Sequence, residues 1–193
     1  ETAQGRIRAR NVIVATGPFQ KPIIPTVVPE TAGVMQLHSA DYRNPDQLEK
    51  GAVLVVGAGS SGAQIADELR RAGRRVFLSV GPHDRPPRAY RGKDFVWWLG
   101  ALGQWDQKTR EPGMEHVTIA VSGARGGHTV DFRDLAGQGI TLLGRAESYA
   151  NGTMHFAGDV KANVDAGMVG CQHDGWPFVD AGGNTRTLDL GFN

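Results

Sequence analysis

Apolar positions in this chain fall into short continuous runs more often than into alternating ones. Val12-Ile13-Val14-Ala15 and Ala52-Val53-Leu54-Val55-Val56 are wholly apolar and rich in β-branched side chains. Each such run predicts a strand covered on both faces, as in a parallel sheet. Ahead of the first run, Ile7-Arg8-Ala9-Arg10 alternates apolar and basic positions, and Thr16-Gly17-Pro18 stops it. Pro18, Pro22, Pro25 and Pro29 then interrupt any period. Proline fixes φ and removes a backbone donor, so this stretch reads as an extended crossover between domains. Residues 38–50, with Asn44-Pro45, continue as loop or short turns.

After the second run the period changes. Ile65, Ala66, Leu69 and Ala72 recur at helical spacing, with Asp67 and Arg71 paired four residues apart. Gly73 stands where a helix C-terminus expects glycine, and residues 75–80 form the next strand. Strand, helix and strand within about 30 residues make a complete βαβ unit. Beyond Gly81 lie a basic loop, from Pro82 to Lys93, and an aromatic stretch with Trp97, Trp98 and Trp105. The pattern then predicts a strand over 117–121, a short helix over 132–138, a strand over 140–143, and a hairpin turning at Asn151-Gly152. From about Val164 the chain is Gly-rich and weakly patterned. The fold class is α/β: a Rossmann-type dinucleotide-binding domain with a parallel sheet. It is expected over residues 30–165, after the end of another domain and its linker (1–29) and before an irregular tail (166–193).

Charge changes the picture little. With 21 basic and 20 acidic residues in 193, nothing global points to nucleic acid or an acidic membrane surface. The single cysteine, Cys171, excludes an internal disulfide and fits a reducing cytoplasm. Its neighbours His173 and Asp174 make a poor metal site without a second ligand pair, so no metal is expected. Residues 1–10 lack the apolar core of a signal peptide, and the longest lipophilic stretch, 95–102, is far short of a membrane span. A soluble, cytoplasmic protein is expected. The first methionine is Met35, so the chain reads as the interior of a longer protein.

The candidate chemistry lies at Gly57-Ala58-Gly59-Ser60-Ser61-Gly62, a G-x-G-x-x-G between a buried strand and an amphipathic helix. Gly57 permits the tight turn, Gly59 lets a pyrophosphate approach the backbone, and Gly62 allows close packing of helix on strand. The helix, opening with Ser60, Ser61 and Gln64 in its first turns, points unpaired N–H groups and a positive dipole end at that pyrophosphate. An NAD site places Asp or Glu about 20 residues after the first glycine. Here that count lands on Phe77, Leu78, Ser79 and Val80, with no acid. Ser79 is followed instead by Arg85, Arg88, Arg91 and Lys93. Guanidinium groups grip a 2′-phosphate in bidentate fashion, so NADP is expected over NAD.

These stretches resemble the class B flavoprotein monooxygenases. The resemblance covers roughly residues 8–160 and rests on 12–18, on Leu37-His38-Ser39-Ala40-Asp41-Tyr42, on 55–62 and on Pro87-Arg88-Ala89-Tyr90-Arg91-Gly92-Lys93-Asp94. Of the family's fingerprint before the second glycine motif, His38 and Tyr42 match, whereas Ala32 and Val34 stand where Phe and Gly would be. The resemblance implies an NADPH domain inserted into an FAD domain, with Ala15, Thr16 and Gly17 closing an FAD segment beside the flavin. It also implies His38 near the cofactors, and NADPH and FAD as those cofactors. A small organic substrate and O₂ are the implied partners: NADPH reduces FAD, and the reduced flavin activates O₂ for oxygenation. Two other classes fit less of the chain. A flavin disulfide reductase wants a Cys-x-x-Cys pair, and a nucleotide-sensing regulatory module wants an acid after the second strand.

Overall fold

The computed structural model describes residues 5–6, 8–15, 21–83, 85–106 and 121–165, and the backbone of 176–179 and 185–188. The βαβ unit forms where the pattern puts it: β1 (Val53–Val56), α1 (Ser60–Arg71) and β2 (Val76–Ser79). β1 and β2 pair in parallel, Val53 opposite Val76 and Val56 opposite Ser79. The end of α1 shows why Gly73 is needed. Gly73 takes φ 78°, its N–H donates to the Arg70 carbonyl, and the Arg74 N–H reaches back to the Leu69 carbonyl. This 6→1 and 5→2 pair closes the helix and releases the chain into β2.

After β2 come a small hairpin, β3 (Ala89–Tyr90) and β4 (Lys93–Asp94), then α2 (Phe95–Ala101), α3 (Phe132–Gly137) and β5 (Thr141–Leu143). β5 joins β2 in parallel, giving the sheet order β1-β2-β5. Next is the hairpin β6 (Ala146–Ala150) and β7 (Thr153–Phe156). Its turn residues Asn151 and Gly152 both have positive φ, at 51° and 78°, as a two-residue turn matched to strand twist requires. Residues 160–165 are helical, and Asn163 Nδ2 donates to the Val80 carbonyl just past β2.

The core lies where α1 and α3 cover one sheet. Ala63, Ala66 and Leu69 meet Val76, Leu78 and Val80 of β2 and its exit, and Phe132, Leu135 and Ile140 close the other side. Each large apolar side chain fully buried here contributes on the order of 1.5–3 kcal/mol.

Two expectations change. Val12, Ile13 and Val14 were expected as a strand buried on both faces. They are 80%, 89% and 80% exposed and have no ladder partner among the described residues. The run itself is apolar, but a strand is covered only where neighbouring strands and helices supply the cover. The tail, expected to be irregular, contains the antiparallel pair β8 (Trp176–Val179) and β9 (Thr185–Leu188). Of the strand expected over 117–121, only Val121 lies within the described residues, and it is not in a strand. Cys171, His173 and Asp174 lie outside them. Among the described residues no group of three His, Cys, Asp or Glu could hold a metal, and no helix is long and apolar enough to cross a membrane.

Candidate functional site

Strand, turn and helix converge at the end of β1. Gly57 has φ 95°, a value L side chains rarely adopt, while its N–H still donates to the Ser79 carbonyl at 3.1 Å. Gly59 is the N-cap of α1, with no side-chain cap, and a Cβ placed on it meets nothing within 4 Å. Open space therefore stands in front of the helix terminus, where N–H groups of the first turn point. Gly62 is the opposite case. A Cβ there would overlap the Gly57 carbonyl oxygen, so α1 can lie this close to the turn only if residue 62 is glycine. Ala58 packs into the core beside it. Backbone that is open at Gly59 and crowded at Gly62 is the arrangement a pyrophosphate-binding turn needs.

The polar groups expected beyond β2 separate into two sets. Ser79 is buried. Its Oγ donates to the Gly144 carbonyl at 2.8 Å and accepts from the Ala146 N–H at 3.1 Å, tying β2 to the β5–β6 connection. Arg85 is also turned inward, 4% exposed, with its guanidinium over the Phe132 ring and Nη1 donating to the Val130 carbonyl. Burial brings its pKa down to about 9, against the opposing charge of Asp131, so it stays cationic at neutral pH. Both side chains, expected at a 2′-phosphate, are turned into the interior. A buried hydroxyl needs internal partners, and the Arg85 stem covers apolar surface better than it hydrates.

Arg88 is half-buried and ion-paired. Its Nε donates to Asp94 Oδ2 at 2.7 Å and its Nη1 to the Ser122 carbonyl at 3.1 Å. The Val96 N–H and then Arg88 hold the Asp94 carboxyl below its ordinary range. Arg91 and Lys93 are the exposed members of the set. They flank the β3–β4 turn, where Arg91 (φ 46°) and Gly92 (φ 71°) are both left-handed. Their cationic groups lie 5.2 Å from the Tyr90 ring centroid and 5.4 Å from that of Trp97.

Residues 121–129 bond to α1 and to Arg88, contacts that the sequence did not reveal. The Val121 N–H donates to Ser60 Oγ at 3.2 Å, on the first residue of α1. Arg125 Nη2 donates to Asp67 Oδ2 at 2.9 Å, and Arg70 and Arg71 donate to the same carboxylate. Burial alone would raise the Asp67 pKa. The hydrogen bonds from Arg70 and Arg71, with the charges of Arg71 and Arg125, more than offset it, and the group is held below the usual carboxylate value. Alongside runs a groove of about 560 Å³ lined by Ser61, Gln64, Arg71, Arg125 and Asp134 among others. Ser61 and Gln64, expected at the cofactor, thus line this flank of α1. Farther along it the Tyr42 hydroxyl donates to Glu68 at 3.0 Å; burial, and then that bond, push its pKa well up.

Of the residues assigned by resemblance, Ala15 is exposed, whereas Thr16 and Gly17 lie outside the described residues. His38 is half-buried, and its Nδ1 accepts the Ala40 N–H at 3.1 Å, closing a local turn.

A family model described as pyridine nucleotide-disulphide oxidoreductase matches residues 1–99, which takes in β1, the glycine turn, α1, β2 and the basic hairpin. The chain belongs to this family. The 193 residues hold one cysteine, which cannot form a pair within the chain. Over 104 residues, 53% of the chain, it is 50% identical to the uncharacterized oxidoreductase CzcO-like of Geobacillus kaustophilus. It is 36% identical over the same share to the uncharacterized oxidoreductase CzcO of Bacillus subtilis. It is also 38% identical over 76 residues, 37% of the chain, to the flavin-containing monooxygenase iboF of Amanita muscaria. These matches span 30%, 30% and 14% of the relatives' own lengths. No solved structure matches the chain.

Proposed function

We propose that this chain is the NADPH-binding part of an FAD-dependent oxidoreductase of the monooxygenase type, acting on a small organic substrate with O₂. The observation that carries the reading is the glycine turn, open at Gly59 and closed by contact at Gly62, on the N-terminus of a 12-residue helix. That geometry suits a pyrophosphate, because backbone N–H groups and the helix dipole both favour an anion there. The absence of an acid at the end of β2 supports NADP over NAD, since a carboxylate would repel a 2′-phosphate. Arg91 and Lys93, exposed on the β3–β4 turn, are the cations assigned to that phosphate, with Arg88 holding the turn through Asp94.

The flavin part of the proposal draws on the relatives named flavin-containing monooxygenase and on the likeness of residues 12–18 to a flavin-contacting strand. Residues 1–29 are assigned to that flavin domain and its linker, and 30–165 to the nucleotide domain. NADPH held here would supply the hydride that reduces the flavin. The chain's own work is to seat the pyrophosphate, select the 2′-phosphate and fix the nicotinamide end by holding the other.

Titration calorimetry of the chain with NADPH and then NADH tests this reading. NADPH is expected to bind with a dissociation constant in the micromolar range, and NADH about tenfold or more weakly. Equal binding of the two would remove the 2′-phosphate assignment, and binding of neither would remove the nucleotide reading.

A further inference from the structure

We infer that residues 121–129 form a clamp that fixes the two halves of the nucleotide seat relative to each other, with Asp67 and Arg125 as its positioning residues. This rests on the nucleotide reading above and deepens it. The proposed seat is divided between elements: the glycine turn and the start of α1 take the pyrophosphate, and the β3–β4 hairpin carries Arg91 and Lys93. The 121–129 segment bonds to both. On one side the Val121 N–H meets Ser60 Oγ, at the phosphate end of α1. On the other, Arg88 reaches the Ser122 carbonyl with Nη1 and gives its own N–H to Thr129 Oγ1 at 3.0 Å, while it holds Asp94 of the hairpin. The segment is closed on itself by the Ser122–His128 bridge and by a bond from the Gly127 N–H to the Ala124 carbonyl.

Arg125 is the pivot. It has φ 53° and ψ 42°, a left-handed conformation that costs an L side chain energy. Its neighbours Gly126 and Gly127, at φ 84° and 87°, tolerate positive φ freely, so the demanding position is the one not given to glycine. What the arginine side chain adds there is its bond to Asp67, which is 8% exposed and already receives Arg70 and Arg71 from its own helix. On the far face, a Cβ on Gly127 would come within 3.1 Å of Arg88 Nε, so the segment also lies close against the hairpin's anchor. A turn held from both sides in this way presets the distance between pyrophosphate seat and 2′-phosphate cations. Presetting reduces the ordering cost of binding.

Arg125→Gly, Arg125→Lys and Asp67→Asn, each titrated with NADPH and each melted, provide the test. Glycine accepts φ 53° without strain, so the melting temperature of Arg125→Gly is expected within about 3 °C of wild type. Its NADPH affinity is expected to fall about tenfold, because the clamp loses its bond to Asp67 and keeps only the Val121–Ser60 bond to α1. Lysine keeps the charge and a single donor for Asp67, so Arg125→Lys is expected to recover most of the affinity. Wild type that binds NADPH with Arg125→Gly binding equally well overturns the clamp alone. Tighter binding by Asp67→Asn also overturns it, because a released Arg125 would then be contacting phosphate itself. A wild-type chain that binds no NADPH overturns the nucleotide reading and the clamp together.

Discussion

Gly62 and Gly59 show how one residue type meets two opposite demands. At Gly59 the missing side chain leaves open space, and at Gly62 it leaves room for the chain's own Gly57 carbonyl. Gly62→Ala should therefore force α1 away from the turn, lowering stability by about 2 kcal/mol in denaturant unfolding and weakening NADPH in parallel. The close packing at Gly62 was legible in the sequence, because the strand before and the helix after fix what that glycine must do. The four cations and Ser79 were legible only as a composition. Which of them turn inward depends on what lies beneath, and Phe132, far away in the chain, is what draws Arg85 in. Arg85→Met should accordingly lower stability by about 1–2 kcal/mol while leaving the ratio of NADPH to NADH affinity unchanged. Replacing Arg91 and Lys93 together by alanine should cut that ratio about tenfold with little change in stability, as calorimetric titration of both nucleotides would show.

Among the elements, α1 was readable almost to the residue, since its period, the Asp67–Arg71 pair and Gly73 at its end are all local signals. The 121–129 clamp was not. Its partners Ser60 and Asp67 lie 61 and 58 positions away, and nothing in a Gly-rich stretch announces a partner at that distance. Asp67 faces Arg70 and Arg71 of its own helix and Arg125 of the clamp, and its folded-state pKa lies below its unfolded value. A depressed carboxylate adds stability that is present above the unfolded pKa and is lost as pH falls through the folded one. The melting-temperature gap between wild type and Asp67→Asn should thus hold steady from neutral pH down to about pH 5, then shrink below about pH 4. A gap that widened on acidification would mean that Asp67 is not the charged partner of the three arginines.

Across the whole molecule, the α/β class and parallel sheet followed from runs and periods, and the order β1-β2-β5 is what successive βα units on one sheet produce. The fate of Val12-Ile13-Val14 did not follow, because a run states that a strand wants cover and not what supplies it. The family match over residues 1–99 takes in the glycine turn and the basic hairpin, and the bacterial relatives are matched over 30% of their own length. The central claim is that this region, with the clamp laid across it, is one nucleotide seat. An NMR titration of the isotopically labelled chain with NADPH, read amide by amide, tests that most directly. The largest shifts are expected at Gly57, Gly59 and Ser60 to Gly62, with a second set at Arg91 to Lys93 and a third across 121–129. Shifts confined to the β6–β7 hairpin, or none at saturating NADPH, would contradict it.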